Sequence, residues 1–357
     1  MLRDPDIEVS GRLTIKVRNG QRVIEWRGAA QISKQFQVPT LLLDATLPEA
    51  SILQVYHPEV EVVADIQVEM PPHVHIRQVL RAPTSSSKLE KEVHREDVRR
   101  YILRRWMETG RGRALVLCQE KFEQWLKLPD DIEVKHFNDV SGLDVYRDIG
   151  LLVIVGRTAP GPRAMEAQAA ALSGRQPRLV NGEGFVWYHP VKRGIRLLDS
   201  RGVETTGDQH PDDLVESVRW LVHEGELIQA LGRGRGINRT EQTPLDVDLL
   251  FNTCLPIKVS NVSIWRRPSP LVETAVQGVM LTAQSDMVKV YPAIWPNNSA
   301  ADRTMEQGVP ELLGFVPLTY QLAGRKRRLA YFDLTIIREP MVWLRERLGT
   351  PLRLLSP

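Results

Sequence analysis

The chain has 357 residues, enough for one large domain or two to three ordinary ones, and its 42% hydrophobic and 25% charged residues are the balance of a soluble globular protein. No run approaches the ~18 apolar residues of a membrane helix and no apolar signal region opens the chain, so a cytoplasmic protein without a membrane partner is expected. A net charge of +3, with the basic residues mostly Arg, permits a polyanionic partner without demanding one, and Cys118 and Cys254 have no zinc or redox spacing.

In chain order, residues 8–27 predict a hairpin. Leu13, Ile15 and Val17 alternate with polar residues, Asn19-Gly20 is a turn signal, and Val23, Ile24 and Trp26 follow. Val38-Pro39-Thr40-Leu41-Leu42-Leu43 predicts an apolar strand that ends at Asp44-Ala45-Thr46, with a helix beginning near Pro48. Residues 60–81 are strand-like. Leu89, Val93, Val98, Ile102 and Trp106 give residues 88–109 a helical period, closed by Gly110-Arg111-Gly112. Ala114–Cys118 reads as a buried strand, 119–127 as a short helix, His136–Asp144 as a loop, and Leu151–Gly156 as a second central strand. A helix holding Met165, Ala169 and Leu172 comes next.

Strands alternating with helices predict an α/β fold with a parallel sheet and right-handed crossovers. Residues 180–210 break that rhythm as a hairpin insertion. A helix from Asp212 to Leu231 follows, and Leu255–Val259 is expected to close the sheet. Proline becomes frequent after residue 260. Three parts are therefore expected: a hairpin segment at 1–37, an α/β domain at 38–260, and a smaller extension at 261–357 whose fold the pattern does not give.

The sharpest feature is Gln229-Ala230-Leu231-Gly232-Arg233-Gly234-Arg235-Gly236-Ile237-Asn238-Arg239-Thr240, at the end of a predicted helix. Glycines let backbone approach a bulky partner, and the clustered arginines offer forked donors suited to phosphate oxygens. Three readings stand for the segment alone: an arginine finger on a nucleotide's γ-phosphate, a solvated basic turn, or a simple polyanion patch.

Its context settles on a family resemblance. Leu43-Asp44-Ala45-Thr46, the strand Leu115-Val116-Leu117-Cys118, the loop Asn138–Asp144 and Gln229-x-x-Gly232-Arg233-x-Arg235 resemble, in order and spacing, motifs III, IV, V and VI of superfamily-2 helicases. The likeness covers residues 38–260 and is closest to helicase-like proteins of phages and plasmids, some of them fused to primase domains. It implies a second RecA-like motor lobe. Gly-x-x-x-x-Gly-Lys-Ser/Thr and the Asp-Glu pair of the first lobe are absent from this sequence. ATP with Mg2+ would then be held mainly by a first lobe supplied in cis or in trans, and the chain would not hydrolyse ATP alone. A docking surface for that lobe is expected around Arg233.

The resemblance also implies roles. Arg233 and Arg235 would reach the γ-phosphate, with Gln229 orienting them or the nucleotide. Gly232, Gly142 and Asp144 would line the nucleotide site, although Asp144 also suits a helix cap. Thr46 would relay between nucleotide and nucleic acid, or cap the helix after it. Arg239 would touch ATP, or pair with Glu241 or Asp246. Single-stranded or duplex nucleic acid, DNA in the first instance, would be held through its backbone by Arg157, by Lys192 and Arg193, and by Arg325, Lys326, Arg327 and Arg328 at a hairpin tip. These basic turns read equally well as solvated surface. The alternative to a motor lobe is a module that binds nucleic acid or a replication protein without turnover. No metal site is expected, because His73 and His75 have no third ligand at metal spacing.

Overall fold

A computed structural model describes residues 11–30, 32–44, 46, 49–55, 57–66, 69–139, 145–180, 186–322, 326–349 and 352–355. The chain opens with the hairpin β1 (Leu13–Arg18) and β2 (Gln21–Trp26). Asn19 and Gly20 turn it with φ of 51° and 78°, the pair of left-handed residues that a two-residue turn matched to strand twist requires. A short helix α1 (Ala50–Leu53) follows.

The central unit runs β3 (Val74–Leu80), α2 (Ser86–Leu89), α3 (Glu92–Glu108), β4 (Ala114–Cys118), α4 (Glu120–Glu123), β5 (Ile132–His136), β6 (Leu151–Val155) and α5 (Pro162–Ser173). It continues through the hairpin β7 (His189–Leu197) and β8 (Gly202–Gln209), then α6 (Asp213–Trp220), a π-helical turn Leu221–Gly225, α7 (Glu226–Gly232), β9 (Leu245–Leu250), β10 (Lys258–Val259) and β11 (Asn261–Ile264). Six of these strands form one sheet in the order β11-β3-β9-β6-β4-β5, and every pairing in it is parallel. Every residue of β4 and β6 is buried, which explains why both read as unbroken apolar runs rather than alternating ones. The fold is therefore α/β, a parallel sheet flanked by helices in keeping with a RecA-like lobe, with a β-hairpin insertion and a small extra sheet.

Helix α3 covers one face through Val98, Ile102 and Trp106. Helix α7 covers the other through Leu227, Ala230 and Leu231. The remaining elements are α8 (Leu271–Ala275), β12 (Val279–Leu281), α9 (Gln284–Val290), α10 (Asn298–Glu306), β13 (Phe315–Leu322), β14 (Arg327–Asp333), α11 (Pro340–Leu348) and β15 (Leu352–Leu355). The four strands pair antiparallel in the order β12-β14-β13-β15. This unit shares the apolar core of the α3 face: Leu271, Trp295, Tyr320 and Phe332 belong to the same cluster as Ile102 and Trp106. Arg99 and Arg100 of α3 both pair with Glu273 of α8, and Arg111 reaches Asp333 of β14.

Three expectations change. Val38–Leu43 is extended but pairs with no strand among the described residues, so the burial that its apolar run calls for is not met. Of residues 60–81, only Val74–Leu80 form a strand. The sheet is closed by β11, beyond residue 260, because β10 pairs instead with β7 of the hairpin insertion.

Candidate functional site

The arginine-rich segment is positioned by the helix before it. Asp212 caps α6, its carboxylate accepting from the amides of Leu214 and Val215. Between α6 and α7 the π-helical turn, a geometry that recurs at functional sites, coincides with the burial of His223 and Glu224. Arg219 lies 1% exposed there and pairs with Glu216 and Glu224 at 2.7 and 2.9 Å. Its Nη1 also lies 3.0 Å from His223 Nδ1. Arginine has only donors, so Nδ1 accepts and the ring proton sits on Nε2, which donates to Thr253 Oγ1 at 3.1 Å. Burial, reinforced by Arg157 and Arg219, pushes the His223 pKa down to about 2, so the ring is neutral.

Segments far apart in sequence meet on α7. Gln229, at its exposed surface, donates from Nε2 to Thr46 Oγ1 at 3.0 Å. Thr46 is 5% exposed and is tied to Asp44, whose Oδ1 accepts from the Thr46 amide at 2.7 Å and hydroxyl at 3.0 Å. Glu49 accepts from Ser217 Oγ of α6 at 2.7 Å, and Ile52 packs with Val215 and Val218. Thr46 lies apart from the start of α1 at Ala50, so its hydroxyl serves Gln229 and Asp44 rather than a helix cap.

The loop after α7 lies at the amino-terminal edge of the sheet, where β6 and β9 begin. Arg239 is buried and clamps it: Nε and Nη2 donate to the Gly234 carbonyl at 2.9 and 2.8 Å, Nη1 to Ile149 O at 2.8 Å, and Nη2 to Tyr146 O at 3.4 Å. Neither Glu241 nor Asp246 is its partner. Gly234 is packed so closely that an added Cβ would come 2.6 Å from Leu245 Cδ2, whereas Gly232 faces open space. Arg235 holds a left-handed φ of 49°, an uncommon conformation for a side chain of its size. Arg233 is half-buried, and its Nε is a buried donor with no hydrogen-bond partner among the described residues. Gly142 and Asp144 lie outside the described residues; Tyr146 and Ile149, which follow them, are held by the same Arg239 as the loop.

Arg157, Lys192 and Arg193 occupy the opposite, carboxyl-terminal edge, whereas Arg327 and Arg328 begin β14 of the four-stranded sheet, with Lys326 just before it. Arg157, just past β6, donates to Thr253 Oγ1 at 3.2 Å and to Asp208 of β8 at 3.0 Å, so it braces the hairpin insertion. Lys192 and Arg193 are exposed on β7, and Lys192 pairs with Glu204 at 3.3 Å. Lys326 and Arg327 are exposed, while Arg328 turns inward to a buried ion pair with Asp286, which also accepts from the Tyr320 hydroxyl at 2.6 Å. Arg325 lies outside the described residues.

One side-chain cluster escaped sequence reasoning. Glu123, His136 and Asp139 bring potential metal-ligand atoms within 4.8 Å of one another. They come from α4 and from the end of β5, so no single spacing reveals them. Glu123 is already 2.7 Å from His136 Nδ1, and Asp139 is 3.0 Å from Lys135 Nζ. Searches against protein-family models, curated proteins and solved structures found no match to this chain.

Proposed function

We propose that the chain is the second motor lobe of an ATP-dependent superfamily-2 nucleic-acid helicase, supplying arginine fingers to a nucleotide whose phosphate-binding loop belongs to a first lobe. The observation that carries this reading is the Gln229–Thr46 contact, which joins the motif III-like and motif VI-like segments across 183 residues. Two further features fit it. The Arg233 Nε has no hydrogen-bond partner among the described residues, and the left-handed Arg235 holds a costly conformation that functional sites tend to retain. In this reading Arg233 and Arg235 neutralise charge developing on the transferred phosphoryl group. Gln229 transmits their position to Thr46. Mg2+ would be held by the first lobe, and the exposed Lys192, Arg193, Lys326 and Arg327 would attract a nucleic-acid backbone.

The test is ATP turnover and single-stranded DNA binding by the purified chain at low and moderate salt. Salt-sensitive binding with no turnover is expected. Robust turnover by the chain alone would overturn the reading, since it requires a phosphate-binding site within this sequence. In a two-lobe enzyme, Arg233→Ala should abolish turnover and leave nucleotide binding largely intact. DNA binding with unchanged turnover in that variant would favour a passive binding module.

A further inference from the structure

Among the described residues, most of the large exposed apolar side chains lie on the first 66 residues, whereas Ile237 and Val145 are those close in sequence to the segments that Arg239 holds together. Leu13, Ile15, Val17, Ile24 and Trp26 are 53–76% exposed. The register sets Leu13 opposite Trp26 and Ile15 opposite Ile24, so they share one face of the hairpin. This face points away from the body of the protein: the hairpin is anchored at its base, where Arg12 donates to the carbonyls of Ala171 and Leu172 at the end of α5. Farther along, Phe36, Val38, Leu41, Leu42, Val60 and Val62 line an open groove of about 730 Å³.

Charge distinguishes the two surfaces. Residues 11–37 carry six Lys or Arg against one Glu, whereas residues 38–66 carry five Asp or Glu and no Lys or Arg. Arg22 at the hairpin and Glu59, Glu61 and Asp65 at the groove have no ion-pair partner among the described residues. Arg22 stands on the apolar face of the hairpin, opposite Val17, and Glu59 and Glu61 line the apolar groove, so the two surfaces are complementary, yet the hairpin's exposure shows that it does not fill the groove of its own chain.

We infer that the occupant is a second copy of this chain, the hairpin of each copy seated in the 36–63 groove of the other. Such an exchange is isologous, so it closes as a two-fold dimer. A stable interface buries roughly 800 Å² a side, so the exchange has to cover most of the hairpin's apolar face and of the groove in each copy. The Val38–Leu43 backbone, which pairs with no strand among the described residues, gains a neighbour in the pair. The inference is independent of the helicase reading, which DNA binding and ATP turnover test separately.

The experiment is sedimentation equilibrium of the full chain over a range of concentrations. A dimer is expected. Arg22→Glu, and separately Glu59→Arg with Glu61→Arg, should each weaken it about tenfold or more, and all three together should restore it. The hairpin contributes to none of the buried cores among the described residues, so an unchanged far-UV circular dichroism spectrum in each variant checks folding independently of the loss of the dimer. A monomer at every concentration would overturn the inference. So would open-ended aggregation, or a dimer indifferent to these reversals, either of which indicates unspecific stickiness or a different face.

Discussion

Gln229 and Thr46 share a hydrogen bond of 3.0 Å while Thr46 spends its own proton on Asp44. The threonine hydroxyl is thus fully committed, donor to one residue and acceptor from another, and its position follows that of α7. A rotation or shift of α7 carrying Arg233 has to break this bond or move the Asp44 turn with it.

Thr46→Val keeps the shape and removes both hydroxyl bonds, so it should destabilise the chain by about 1–2 kcal/mol. Gln229→Ala should cost less, because Thr46 loses one incoming donor but keeps its own bond to Asp44. Chemical denaturation of the two single variants and the double should show a coupling of about 0.5–1.5 kcal/mol. Strictly additive effects would mean that the contact contributes nothing in solution.

The two glycines flanking Arg233 should behave differently. Gly234→Ala places a methyl 2.6 Å from Leu245 Cδ2 and within 3.4 Å of Leu152 Cδ2, an overpacking that should cost about 1–3 kcal/mol. Gly232→Ala meets nothing within 4 Å and should be neutral or slightly stabilising within its helix. Thermal melts of the pair decide the matter, and equal losses would contradict the packing described.

Arg239 should act as a structural clamp. Arg239→Met takes the side-chain donor from the carbonyls of Gly234 and Ile149, while Tyr146 O keeps the Ile149 amide, a loss of about 3 kcal/mol. Hydrogen exchange should rise together in residues 145–149 and 233–239. Faster exchange confined to one of the two segments would show that Arg239 does not join them.

The buried neutral His223 gives a definite pH dependence. Its folded pKa lies near 2 and its unfolded value near 6.5, so the unfolded chain takes up a proton that the folded chain refuses. The stabilisation is complete above pH 6.5 and is lost on acidification, by up to about 1.4 kcal/mol per pH unit. His223→Gln should flatten the decline in stability between pH 6.5 and 5, before most carboxylates titrate. A variant whose curve keeps the wild-type slope would assign the decline to other groups.

Local signals in the sequence translated well into structure. Asn19-Gly20 makes the first turn, the apolar runs Ala114–Cys118 and Leu151–Val155 become doubly covered strands, and Asp212 caps α6. What remained illegible depends on distant partners. The basic run at 325–328 does not reveal that Arg328 faces Asp286, 42 residues away, nor does Gly-Arg-Gly-Arg-Gly reveal that Arg239 serves carbonyls 90 and more residues upstream. The π-helical turn has no signature of its own; it accompanies the packing of His223 and Glu224 around Arg219. Val38–Leu43 shows the converse: composition specifies the burial a segment needs without supplying the neighbours that provide it.

The apolar core that runs from Ile102 and Trp106 through Leu271 to Trp295 and Phe332 has a consequence for how the protein comes apart. A proteolytic nick near residue 260 would separate neither half as a stable fragment, because the cut would bare Leu271, Val279 and Met280 on one piece and the α3 surface that they cover on the other. Heating should accordingly melt the parallel sheet and the four-stranded sheet in a single transition, with calorimetric and van't Hoff enthalpies in agreement.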